Sequence, residues 1–332
     1  MTMNKIKTIR YIIYIVAALL LNACENENLS KNQSLDEIRL TAGVSDINAD
    51  TRATSQQHLS ANGQSFTVDQ HIALFISERS GGSEVFNGIY QGDMHTLHTA
   101  ANNVLEFDLG EKCYWPGTNN VNFYAWHPYI VNGAFTGKKS NQTTTFSVLA
   151  DQSSLDAYTS SDLMSAISTN VAKTESAVPL TFSHKLSKVV IVLQSNTEGQ
   201  ITAEQLASAT VSIQQANAAT PFYLDSTVDI DAGTTTLLTT GNSTDEILLG
   251  TGSTTMCVLP PGQSLKDKKI VFDMGLDGGA NDYTIKMEGN LLAGKVYTIT
   301  LKLTLTHIEV TETVVDWQDD RTWDKSGQTL FI

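Results

Sequence analysis

From residue 36 onward the chain consists of short stretches in which every second residue is apolar, a period of two that belongs to strands. Such stretches lie at 65–77, 85–90, 104–109, 121–126 and 143–149. A second series runs 188–193, 210–214, 246–249, 255–259, 269–274, 283–287 and 296–310. Gly, Thr, Ser and Asn punctuate the intervals as turns do. Helical spacing is confined to 153–168 and 203–209, room for a turn or two. Many short strands with turns between them predict an all-β fold of sandwiches or barrels. A change in composition between Thr174 and His184 divides the strands into two expected domains, 35–180 and 181–332. The most regular stretch, 296–310, carries Tyr297, Ile299, Leu301, Leu303 and Leu305 at odd positions, then Ile308 and Val310 at even ones. A slip of one residue flips faces, so a bulge or a crossing between sheets is expected near His307. Trp317 is expected to close the second core.

The first residues read as an export signal. Lys5, Lys7 and Arg10 precede an unbroken apolar run over 11–21. Eleven apolar residues are too few for the roughly 20 that a spanning helix needs. Leu21-Asn22-Ala23-Cys24 follows directly, a small residue before a cysteine, the pattern a lipoprotein peptidase cuts. Residues 1–23 are therefore expected to leave as a signal peptide, with Cys24 lipidated and 24–34 serving as a tether. Two or more acyl chains on Cys24 hold a domain stably on a membrane, whereas one chain binds marginally.

Residues 36–44 place Ile38, Leu40, Ala42 and Val44 on one face of a half-buried strand. The loop after it, 46–64, is almost free of apolar side chains and contains Arg52, an accessible point for a trypsin-like protease. A cut there detaches the strand together with the lipid. Burying Ile38, Leu40 and Val44 is worth roughly 5–9 kcal/mol in all, an upper value. Whole domains are stable by only about 5–15 kcal/mol, so the vacated groove demands another strand. A strand from a second copy makes a polymer.

Composition excludes several functions. The net charge is −14, from 35 acidic against 21 basic residues, and neutralising phosphates takes Lys and Arg, so nucleic acid is not an expected partner. Apart from Cys24 the cysteines are Cys113 and Cys257, far apart, and no disulfide framework is expected. His95 and His98 have no third ligand near them in sequence, and no metal or cofactor is expected. The oxygen-rich run 273–282 lacks EF-hand spacing and reads as a hairpin turn. Gly250 to Thr255 lacks the lysine of a phosphate loop. His184, beside a core strand, reads as a structural histidine. No nucleophile elbow or zinc-protease motif is present, so an enzyme is not expected. Tyr114, Trp115, Phe123, Tyr124, Trp126 and Tyr129 read as core before they read as a sugar-stacking platform.

Tyr114-Trp115-Pro116, then 121–128 (VNFYAWHP), 162–166 (DLMSA), 178–189 (VPLTFSHKLSKV) and Gly294-Lys-Val-Tyr297 leading to Trp317 together resemble the fimbrillin family of Bacteroidia, the subunits of type V pili. The likeness spans nearly the whole mature chain. It implies two tandem transthyretin-like, Greek-key β-sandwiches on a surface-exposed lipoprotein of the outer membrane. It also implies assembly by strand exchange once an arginine-specific protease removes the first strand. By position Arg52 is the cleavage point, Ile38 to Val44 the strand lost, and the C-terminal strand the donor to a neighbour in the fimbrium. The implied partners are other fimbrial subunits, through self-polymerisation or with tip and anchor pilins, and host or bacterial surface ligands. The alternative is a lipid-anchored glycan- or ligand-binding lipoprotein, or an anchor subunit, that is never cut.

Overall fold

The structure, a computed structural model, describes residues 36–44, 66–117, 119–129, 135, 139, 143–195, 201–216, 220–276, 279–304 and 308–317. Cys24, Arg52 and His307 lie outside them. Among the described residues the strands are β1 (Leu40–Val44), β2 (His71–Ser80), β3 (Ser83–Val85), β4 (Gln91–Thr99), β5 (Val104–Phe107), β6 (Asn120–His127) and β7 (Thr143–Ser147). Helix α1 (Leu155–Ser161), β8 (Met164–Val171), β9 (Val178–His184), β10 (Ser187–Ser195) and helix α2 (Ala203–Ala207) follow. Then come β11 (Thr210–Gln214), β12 (Phe222–Tyr223), β13 (Asp225–Asp229), β14 (Thr234–Leu237), β15 (Ser243–Thr244) and β16 (Glu246–Thr251). The series ends with β17 (Thr254–Leu259), β18 (Lys269–Asp273), β19 (Asn281–Thr284), β20 (Lys295–Leu303) and β21 (Ile308–Asp316). The fold is all-β, as the period of two predicts. Both helices sit within the stretches of helical spacing. The Ser154 hydroxyl accepts from the Ala157 N–H to start α1, and a Thr202/Gln205 capping box starts α2.

The first sheet runs in the order β3-β2-β4-β5-β1-β9-β8-β6, and β6 pairs again with β2. Seven of these strands therefore return on themselves. Ala73 of β2 pairs with Thr96 of β4 on one side and Trp126 of β6 on the other, which is the point of closure. A closed sheet leaves no edge. Its interior holds Ile38, Leu40, Ala42, Val44, Ile72, Leu74, Ile76, Leu97, Phe123, Leu180 and Phe182.

The second half is two four-stranded sheets, β17-β10-β20-β21 and β16-β11-β18-β19. Between them lies a core that includes Val189, Ile191, Leu193, Ile213, Ile247, Phe272, Ile299 and Leu301. A third apolar cluster takes residues from both halves: Phe75, Trp126, Phe146, Leu163, Val228, Val258, Val296 and Trp317. Strand β7 pairs with β13 through five residues, which ties the halves by backbone as well. The described residues from Ile38 onward accordingly form one compact unit.

Several elements depart from the sequence reading. The expected junction between 180 and 181 falls inside β9, a continuous strand of the first sheet. At the end of the 296–310 stretch the change of phase is the meeting of two antiparallel strands: Leu303 of β20 pairs with Ile308 of β21, the first of nine pairs in register without a shift. Trp317 is 2 % exposed, but it packs in the shared cluster, not between the two C-terminal sheets. The run 273–282 does join a hairpin, since Phe272 of β18 pairs with Asn281 of β19.

Candidate functional site

The alternation of residues 38–44 becomes geometry in β1. Ile38, Leu40, Ala42 and Val44 are all buried, while Thr41 and Gly43 between them are partly open. On one side β1 runs parallel to β9 over five pairs, Leu40 with Val178 through Val44 with Phe182. On the other it is antiparallel to β5 through Leu40–Leu105 and Thr41–Val104 alone. The strand is thus interior to the sheet and hydrogen-bonded on both sides, where the sequence gives only an amphipathic ribbon. The Arg39 carbonyl accepts from Val178 N–H at 2.8 Å, and Ile38 N–H donates to the Cys113 carbonyl at 2.8 Å. Apolar sockets for alternate side chains and a backbone ladder on both flanks are what a sheet offers to an added strand.

Strand β9, the main partner, was missed by the reading of strands from periodicity, although Val178, Leu180, Phe182 and His184 are buried at every second position. Pro179 breaks that run as a strand signal. Its tolerance has a local cause. Val178 sends its N–H to β1, so the Pro179 nitrogen faces β8, whose pairing with β9 covers only Ser183 and His184. Strand β4 was also missed, because polar side chains occupy both of its faces.

At the end of β9 lies a buried polar pair. His184 Nδ1 is 2.8 Å from Asp162 Oδ1, and the imidazole stacks on the Trp317 indole with centroids 3.9 Å apart and planes 3° off parallel. This is a histidine built into the core. Trp317 N–H donates to the Gly294 carbonyl at 2.7 Å, so the end of β21 is tied to the turn before β20. Lys139, whose side chain is 1 % exposed, forms ion pairs with Glu84 Oε2 at 2.7 Å and with Asp231. Burial works to raise the Glu84 carboxyl, but Lys139, Ser77 and Asn122 outweigh it and hold it below the ordinary value. Burial works to lower Lys139, and the two carboxylates overcome it and hold the ammonium above its ordinary value.

Of the six aromatics singled out from sequence, Trp115, Phe123, Tyr124 and Trp126 are buried. They fill the interior and present no platform. Cys113 and Cys257 are buried free thiols. Burial, and then Glu111 beside it, pushes the Cys113 thiol up to about 12. Strand β1 is the expected site that lies within the described residues. Cys24 and Arg52 flank it in sequence, outside those residues.

Comparison with known proteins bears on this arrangement. A fimbrium subunit by name, Fim1C of Bacteroides uniformis, is 25% identical over 312 residues, covering 91% of this chain and 93% of that protein. The crystal structure of a protein of Bacteroides uniformis described as a cell adhesion protein superposes with a TM-score of 0.61 at 23% identity, over 86% of this chain and 100% of the other. Another, from Bacteroides ovatus and described in the same words, gives 0.63 at 15% identity, over 85% and 97%. At these identities the two structures speak to the fold. The fimbrillin-like profile matches residues 51–317, most of the chain and both of its halves. The chain belongs to the fimbrillin-like family, whose members are structural proteins of cell-surface fimbriae.

Proposed function

We propose that this chain is a fimbrial subunit that polymerises by strand exchange. In this reading it is exported, lipidated at Cys24 and carried to the outer membrane surface. An arginine-specific protease cuts after Arg52, β1 leaves with the lipid, and a C-terminal strand of another subunit fills the slot between β5 and β9. The two halves of the fold then correspond to two tandem transthyretin-like sandwiches, and the finished fibre contributes to adhesion.

The observation that carries the reading is the position of β1. It is short, buried at three alternate residues with Ile38 continuing the alternation just before it, hydrogen-bonded on both flanks, and lies at the start of the compact unit. A strand so placed can depart without unthreading any other. Its departure uncovers a slot with ladder partners on both sides, and an unpaired edge of that kind recruits another strand. Trp115, Phe123, Tyr124 and Trp126 are interior, which weighs against a sugar-stacking platform and so against the glycan-binding alternative.

Treating the purified full chain with an arginine-specific protease tests the proposal. The expected result is a cut after Arg52, a new N-terminus at Ala53, and a ladder of multimers that resists mild denaturant. A cleaved chain that stays monomeric overturns it. The N-terminal residue of protein taken from the cell surface separates the roles: Ala53 marks a matured pilin, and lipidated Cys24 an uncut anchor.

A further inference from the structure

His95 and His98 stand three residues apart on β4, an odd interval, so their side chains leave opposite faces of the strand. Each meets different company. His98 lies against Asp108, its Nδ1 2.6 Å from Oδ1, and near Glu106. On the other face His95 Nδ1 is 2.9 Å from Glu111 Oε1, and the ligand atoms of His95, Glu111 and Cys113 all lie within 4.8 Å of one another. The sequence offered no third ligand for a histidine here, and the fold supplies two.

The chain spends strain to do so. After β5 a single turn over Asp108–Gly110 holds Leu109 at φ 59° and Gly110 at φ 71°, both left-handed. For leucine that backbone costs on the order of 1–3 kcal/mol. Its side chain gains nothing in return, being fully exposed. What the reversal accomplishes is to lay residues 111–113 against β4, with Cys113 buried and Glu111 at the surface. The rings of Tyr90 and Phe107 meet His95 edge-on, with centroids 6.3 and 6.0 Å away.

We propose that His95, Glu111 and Cys113 form a three-ligand site for a zinc(II) ion, its fourth position open to water. Imidazole, thiolate and carboxylate are zinc's usual donors, and three protein ligands with one open position is a recurrent zinc arrangement. The thiol selects against calcium and magnesium, which take oxygen. Zinc sits about 2.0–2.3 Å from such ligands. Drawing the three donors onto one ion therefore takes a modest adjustment, and the half-exposed Glu111 side chain has the freedom to make it. The ion displaces the thiol proton, and binding releases it to solvent. Because the Cys113 carbonyl also receives the Ile38 N–H, the bound metal fastens the segment that flanks β1.

The test uses the full chain in detergent, stripped with a chelator and dialysed against zinc, with metal per chain then measured. Expected is one retained zinc, and, after exchange for cobalt(II), a thiolate-to-cobalt charge-transfer band. Cys113→Ser should abolish that band. Glu111→Gln, at an exposed position that leaves the fold intact, should weaken zinc binding by about tenfold or more, and His98→Gln should not change it. No retained zinc overturns the proposal. So does a cobalt complex without the thiolate band, a band that survives Cys113→Ser, or a Glu111→Gln chain that binds zinc as well as the parent.

Discussion

At Lys139 an ammonium group lies 4.2 Å from the centre of the Tyr124 ring and 5.5 Å from that of Phe86, with Glu84 and Asp231 as its counter-ions. Glu84 comes from β3 and Asp231 from the turn between β13 and β14, so one side chain joins the two halves. Nothing in the sequence marks Lys139, since a lysine in a polar loop ordinarily faces water. The carboxyl of Glu84 is depressed in the fold, so its contribution to stability is present above the ordinary carboxylate value of 4.5 and is lost as pH falls through its lower folded value. Lys139 is raised, so its contribution is present below the ordinary 10.5 and is lost as pH rises through its higher folded value. Lys139→Met removes its own dependence, weakens that of Glu84, which keeps only Ser77 and Asn122, and leaves two partly buried carboxylates without their partner. It should cost about 1–3 kcal/mol at neutral pH and flatten the fall in stability on the acid side. Urea titrations of parent and variant from neutral pH into the acid range check this. A variant that loses stability in acid as steeply as the parent would show that the cation is incidental.

Among the described elements, β1 is one whose amphipathic pattern and structure agree residue by residue, because a strand with one face buried is specified by its alternation. That agreement makes its energetics predictable. Leu40 is 1 % exposed and Thr41 is partly open. Leu40→Ala should cost about 2–5 kcal/mol, and Thr41→Ala about 0.5 kcal/mol or less, as read by urea midpoints at constant slope. Equal effects at the two positions would mean that the face of β1 does not matter. What alternation does not reveal is the identity of neighbours. That β1 pairs with β9, some 138 residues later and in parallel, depends on how the first sheet closes, which no local pattern encodes. The three-residue meeting of His95, Glu111 and Cys113 was equally hidden, since it arises from a left-handed turn at Leu109, a residue with no sequence preference for that backbone. His184 was legible as structural, but its stacking on Trp317, at the far end of the described chain, was not.

For the molecule as a whole, the proposed strand exchange makes monomer and polymer alternatives of one another. While β1 is in place, the first sheet closes and β5 and β9 are both paired. Once β1 is gone the same sheet has two facing edges with five backbone partners along β9 and the sockets of four side chains between them. Any strand of the right pattern satisfies those groups, whether it is covalently joined or not. A synthetic peptide of residues 36–44, supplied in excess during protease treatment, should therefore occupy the slot and hold the cleaved chain as a monomer, as read by size-exclusion chromatography. Bound peptide raises stability by the logarithm of its excess, about 2.7 kcal/mol at a hundredfold over its dissociation constant. The melting temperature of the cleaved monomer should rise with peptide concentration accordingly. A peptide in which Leu40 is replaced by Asp must bury a charge in a socket built for an alkyl group, and it should neither bind nor block assembly. Multimers that form undiminished at a peptide concentration that saturates binding would mean that subunits join through some surface other than the vacated slot.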